Sequence, residues 1–117
     1  MKIKELFERV SFEAKCNEQR FLEYFNEGAD LLVNRYSDKY ALVPNGTPRQ
    51  LRELSDESDI EDPYYSSLAD YILYRITLDD KKYESFLQKS DDAYRQVWRK
   101  RQKRKQVAAR LSGGIFK

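Results

Sequence analysis

Apolar residues recur along this chain at three- and four-residue intervals, and the intervals divide it into four helical stretches and one long interruption. Ile3, Leu6, Phe7, Val10 and Ala14 share one face of a short amphipathic helix, with Glu5, Glu8, Arg9 and Glu13 turned away. Asn17 is placed to cap a second helix of about five turns, with Glu18 in its first turn where negative charge is favoured. Phe21, Leu22, Phe25, Ala29, Leu32, Val33 and Tyr36 make its buried face. Tyr24 and Leu31 lie off that face and predict a second apolar contact. Gly28 costs about 1 kcal/mol in helix propensity, and it predicts the close approach of another helix.

Residues 63–78 are the most apolar stretch of the chain. Asp62 can accept from the free amides of a first turn, and Pro63 suits the first helical position, where its missing N–H has no partner anyway. Helical stepping spreads Tyr64, Tyr65, Leu68, Ala69, Tyr71, Ile72, Leu73, Ile76 and Leu78 over most of the circumference. Ser66, Ser67, Asp70 and Thr77 keep a narrow polar strip, so this third helix is expected at the centre of the fold. Arg75 falls inside the apolar arc, where a guanidinium requires a hydrogen-bonded partner to offset its desolvation. It reads as an internal clamp or an interface residue. Asn26, at the edge of the second helix's buried face, is either solvated or bonded to a buried group such as Arg75. Both residues are assigned to internal support.

Residues 37–62 carry no helical period. Pro44-Asn-Gly46 supplies turn conformations, which allows a loose hairpin between Leu42-Val43 and Leu51 to Leu54. The acidic run that follows contains Asp56, Glu57, Asp59, Glu61 and Asp62. A connection of this length in a small domain is usually functional or disordered. It reads as a contact loop ordered only in an assembly, or as a flexible acidic surface loop. Asp79 and Asp80 then cap a last helix with the apolar stripe Tyr83, Phe86, Leu87, Ser90, Ala93, Tyr94, Val97 and Trp98. Past Trp98 the same arc holds Arg101, Arg104 and Lys105, so the final turns leave the core. Ser112-Gly-Gly114 reads as a hinge before the apolar ends Ile115 and Phe116. The pattern thus predicts an all-α bundle of about four helices, with a core over 1–98, including the loop, and a basic helical extension and apolar tail over 99–117.

Composition narrows the chemistry. At 117 residues the chain suits one domain, and it has no histidine and a single cysteine, Cys16. Histidine-based catalysis and most metal sites lose their usual ligands, no cofactor loop is present, and no stretch approaches the length that crosses a bilayer. The expectation is a non-enzyme with no cofactor, no metal and no membrane contact, assembled in a reducing cytoplasm, with Cys16 a small buried hydrophobe. The net charge is only +2, but its distribution is lopsided. Residues 37–80 carry four basic and ten acidic side chains, a net of −6; residues 81–117 carry twelve and three, a net of +9. Such polarity suits stacking on copies of itself or on oppositely charged partners. Seven Lys and Arg between Arg99 and Arg110 also allow an alternative reading, salt-sensitive binding of nucleic acid.

Taken together, the chain resembles the head-to-tail adaptor (connector) proteins of tailed bacteriophages. Lys4-Glu-Leu-Phe-Glu-Arg-Val10 resembles the family's first helix, and Phe21-Leu-Glu-Tyr-Phe-Asn-Glu-Gly-Ala29 its second, with Asn26 at the family's Asn position. Tyr65, Leu68, Asp70, Tyr71, Leu73 and Arg75, followed by Asp79-Asp80, are similar to its third helix and acidic turn. The resemblance implies a virion protein of the neck, in a ring of neighbouring copies that is commonly twelve-fold. It also implies that the C-terminal helix and tail grip the portal protein, that a stopper or tail component meets the other side, and that DNA in the channel is touched incidentally. On that reading Arg99, Lys100, Arg101, Lys103, Arg104, Lys105, Leu111, Ile115 and Phe116 meet the portal. Asp56, Glu57, Asp59, Glu61 and Asp62 face a neighbouring subunit or the tail side.

Overall fold

In a computed structural model, residues 2–36, 42–43 and 46–115 are described, with side chains as far as Arg101. Among the described residues four α-helices follow in order: α1 (Ile3–Glu13), α2 (Glu18–Arg35), α3 (Tyr65–Thr77) and α4 (Asp80–Ile115), with a 3-10 turn over Asp62–Tyr64 leading into α3. The fold is an all-α bundle, and among the described residues there is no strand. The expected hairpin between 42–43 and 51–54 therefore does not form.

α3 touches each of the other helices, and Tyr65, Leu68, Ala69, Tyr71, Ile72 and Leu73 are buried on it. It begins later than the Asp62-Pro63 signal suggests. Asp62 is inside the 3-10 turn, and Tyr64 N–H donates to Glu61 at 3.1 Å before the α-helical spacing takes over at Tyr65. The expected polar strip is also corrected, since Ser67 and Asp70 are buried. Ser67 Oγ donates to the Tyr64 carbonyl at 2.7 Å, while Asp70 Oδ2 accepts from Ser85 Oγ at 2.5 Å and Lys89 Nζ at 2.9 Å. Two buried polar residues are satisfied locally and by α4, as burial demands. Leu78, counted in the apolar arc, is 70% exposed, because a left-handed backbone at φ 58° ends α3 there. Asp79 then accepts from Lys81 N–H at 3.0 Å and starts α4.

Asn17 caps α2 as its sequence suggests, accepting from Arg20 N–H at 2.8 Å. Phe21 and Phe25 are fully buried, with Phe7 of α1 edge-on to Phe21 at 5.2 Å. The close approach expected at Gly28 is to α3: a Cβ there would lie 3.0 Å from both Leu68 and Tyr71 side-chain carbons. Cys16 is corrected from buried to half-buried; its thiol donates to the Asn17 carbonyl at 3.3 Å, and partial burial raises its pKa.

The described part of the long loop is packed on the chain's own core, with no partner chain needed for that burial. Leu42, Val43, Leu51 and Ile60 are all buried. Glu61 N–H donates to the Leu42 carbonyl at 2.9 Å, and Gly46, at φ 76°, closes a turn back to Val43. Four apolar anchors within twenty residues supply the burial that a free acidic loop would lack.

Tyr64 is fully buried with no hydrogen-bond partner for its hydroxyl, and burial pushes its pKa above the ordinary phenol value of 10.0. The neutral phenol is favoured in the folded chain, so the stabilisation is complete below pH 10 and is lost as pH rises through the folded pKa. Above pH 10 this one group should cost about 1.4 kcal/mol per pH unit. Tyr64→Phe is expected to keep or raise stability at neutral pH and to flatten that alkaline slope, both read by urea denaturation at pH 7 to 11.

Candidate interaction surface

α4 carries the surface that the sequence singles out. Its inner face is anchored by buried Phe86, Ser90, Ala93 and Val97, with Tyr83 and Leu87 half-buried beside them. Tyr94 stacks on Tyr36 with centroids 4.5 Å apart and planes within 7°. Asp91 fixes α2 to α4, accepting from Arg35 at 3.1 and 3.2 Å and from the Tyr36 hydroxyl at 2.7 Å. The Arg35 guanidinium holds the Asp91 carboxyl below the usual carboxylate range, while burial and Asp91 push the Tyr36 phenol up.

The apolar stripe ends one residue early. Trp98 is 45% exposed, a correction to its expected place in the core. α4 continues past its partners here, and nothing remains for the indole to pack against in full. Arg99 and Lys100 are exposed, and Arg101 is half-buried, with its charge acting on Tyr64. The backbone stays helical to Ile115, including Ser112, Gly113 and Gly114, which corrects the expected hinge. The fourteen residues after Arg101 amount to about 21 Å of helix at the α-helical rise. The radius of gyration of 16.5 Å exceeds the roughly 13 Å of a compact chain this long, as a projecting helix requires. The side chains of Lys103, Arg104, Lys105, Leu111 and Ile115, and all of Phe116, lie outside the described residues.

The acidic residues do not form one uniform patch. Asp56 accepts from Arg52 and Glu53 N–H at 2.7 and 3.1 Å, and those amides hold its carboxyl below the usual range. Asp59 accepts from Arg49 N–H at 3.1 Å. Both therefore shape the loop itself. Glu57 and Asp62 are exposed, and Glu61 joins the loop to Leu42 through its backbone.

Asn26 and Arg75 do not meet. The Asn26 side chain brackets one loop residue, with Nδ2 donating to the Leu51 carbonyl and Oδ1 accepting from the Leu51 N–H, each at 2.9 Å. Arg75 is corrected from the core to its rim: 39% of its side chain is exposed, it pairs with Glu27 at 3.3 Å, and it lies over the Tyr24 ring. Near the end of α3 a guanidinium can reach water while its stem covers apolar surface. Glu27 also accepts from the Tyr71 hydroxyl, tying α2 to α3. The Asp70–Ser85–Lys89 and Asp91–Arg35–Tyr36 groups escaped sequence reading, because their members are distant in the chain and no spacing rule joins them.

Among the described residues no group of His, Cys, Asp and Glu could hold a metal ion, and no helix is long and apolar enough to cross a membrane. No protein-family model, curated protein or solved structure matches this chain.

Proposed function

We propose that the chain is a structural head-to-tail adaptor of a tailed bacteriophage, forming a ring that docks on the portal and links the DNA-filled head to the tail. The observation that carries this reading is α4, anchored in the bundle as far as Val97 and continuing as a basic helix beyond it. A cationic helical arm suits insertion into an acidic rim, with the bundle left to contact its neighbours. The order and spacing of the three resembling helices support the same reading.

Removal of residues 99–117 is expected to abolish co-purification with the portal protein while leaving the bundle folded, since Phe86, Ala93 and Val97 are retained. Full-strength capture of the truncated chain would end the adaptor reading. In a lysate lacking this gene, electron microscopy should show DNA-filled or leaking heads beside separate, complete tails. The seven cations from Arg99 to Arg110 also suit nucleic acid. Steeply salt-dependent duplex binding by the isolated chain, lost on neutralising Arg99 to Lys105, together with normal tailed particles from the deletion, would favour that alternative.

A further inference from the structure

Phe12 is 93% exposed, the most exposed large apolar side chain among the described residues. Single exposed apolar residues are ordinary, and Phe12 is set apart by the cations that follow it in the chain. Close to Phe12 in the chain, Ser11 and Lys15 line a cleft of about 480 Å³ with Arg20, Tyr24 and Arg75, and no carboxylate lines it. Arg75 is engaged by Glu27, whereas Lys15 and Arg20 have no acidic partner among the described residues. Ser11 Oγ there is shielded from solvent and also unpartnered.

A second cleft, of about 880 Å³, has the opposite character. Ile3 and Leu54 line it among four carboxylates, Glu5, Glu18, Asp56 and Glu57, and two lysines. The two clefts share no residue, though Glu18 of one and Asn17 and Arg20 of the other stand at the same end of α2. Each side holds what the other lacks: on one, unpaired cations with the exposed Phe12 ring a few residues before them in the chain; on the other, Ile3 and Leu54 within a mostly acidic rim. Two different, mutually complementary surfaces on one chain define a head-to-tail contact, which propagates and closes into a ring when the rotation allows.

We propose, resting on the ring reading above, that successive copies join through this contact. Phe12 of one copy sits in the cleft between α1 and residues 54–58 of the next, with Lys15 and Arg20 facing Glu18 and Glu57 across it. The occupant of each cleft is therefore a second copy of this chain.

The test is sedimentation velocity on the full chain over a concentration series in low salt. Wild type should grow beyond a dimer. Phe12→Glu, which alters only the ring side, and the pair Glu18→Lys with Glu57→Lys, which alter only the acidic side, should each weaken association about ten-fold or more. All three positions are exposed, and Glu18→Lys loses only a favourable first-turn charge of α2, so unchanged circular dichroism with melting lowered by at most a few degrees confirms that folding is intact. Mixing the two variants should yield dimers and stop there, because each supplies one sound half. A wild-type chain that stays monomeric, or stops at a dimer, or a Phe12→Glu variant that assembles as wild type does, overturns the proposal. No portal is present, so the outcomes separate. A monomer that still binds portal removes this contact alone, and a self-assembling chain that ignores portal keeps the contact and removes the adaptor reading.

Discussion

Replacing Asn26 by alanine is expected to lower stability by about 2–4 kcal/mol, more than its half-buried position on α2 suggests. The amide makes two bonds to one residue, at 2.9 Å each, and Leu51 is only 3% exposed. Alanine leaves the Leu51 N–H and carbonyl unpaired, at roughly 1–3 kcal/mol for each buried group left unsatisfied. The lower half of the range applies if water enters from the open cleft that Asn26 borders. Asn26→Asp should fall between, because a carboxylate still accepts from the N–H but cannot donate to the carbonyl. Urea denaturation gives the magnitude, and amide exchange locates it: Leu51 N–H should lose protection well before the α3 amides. A variant within about 0.5 kcal/mol of wild type would mean that Leu42, Val43, Leu51 and Ile60 hold the loop by burial alone.

Gly28 offers the second large effect, and its sign depends on the size of the replacement. An alanine Cβ would sit 3.0 Å from both Leu68 and Tyr71, so those side chains must yield by a few tenths of an ångström. Tyr71 is held by Glu27 and packs on Phe86 at 5.0 Å, which limits how far it can move. Against that strain stands a gain of about 1 kcal/mol in helix propensity, so Gly28→Ala should be close to neutral. Gly28→Val adds two further methyl groups to the same crossing and gains less propensity, so it should cost about 2–3 kcal/mol. Thermal melts of the three chains test the order. A valine variant as stable as the glycine chain would show that α2 and α3 can separate without loss.

Much of the bundle was legible because helical burial is periodic. Ile3, Leu6 and Val10, or Phe21, Phe25 and Leu32, declare a buried face by spacing alone, and Asn17 declares where α2 begins. The same rule overreached at each end of a stripe. Leu78 and Trp98 keep the period, yet one is turned out by a left-handed backbone and the other stands where the partner elements end. Periodicity records the direction of a side chain, not whether another element is present to cover it.

Polar positions were harder for the opposite reason. Asp70 and Ser67 looked like a solvated strip, but the partners that satisfy them come from α4 and from one turn of backbone. Arg75 looked buried, and it is the rim of the bundle that gives its guanidinium both Glu27 and water. The loop looked free because its acids are local and visible, while its four anchors are scattered among polar residues. For the candidate surface, the basic stretch from Arg99 was plain in the sequence, and the near-complete exposure of Phe12 was not.

By itself, then, the sequence determined the helical class, the four helical stretches, the cap of α2 and the charge polarity between the acidic middle and the basic end. These depend on residues within a few turns of one another. Only the tertiary structure decided that Asn26 holds Leu51 rather than Arg75, that Asp70 reaches into α4, and that α4 leaves the core after Val97. Those outcomes depend on which surfaces meet across fifteen to fifty residues of chain. Hydrogen bonding and burial there are settled by packing, which local spacing does not encode.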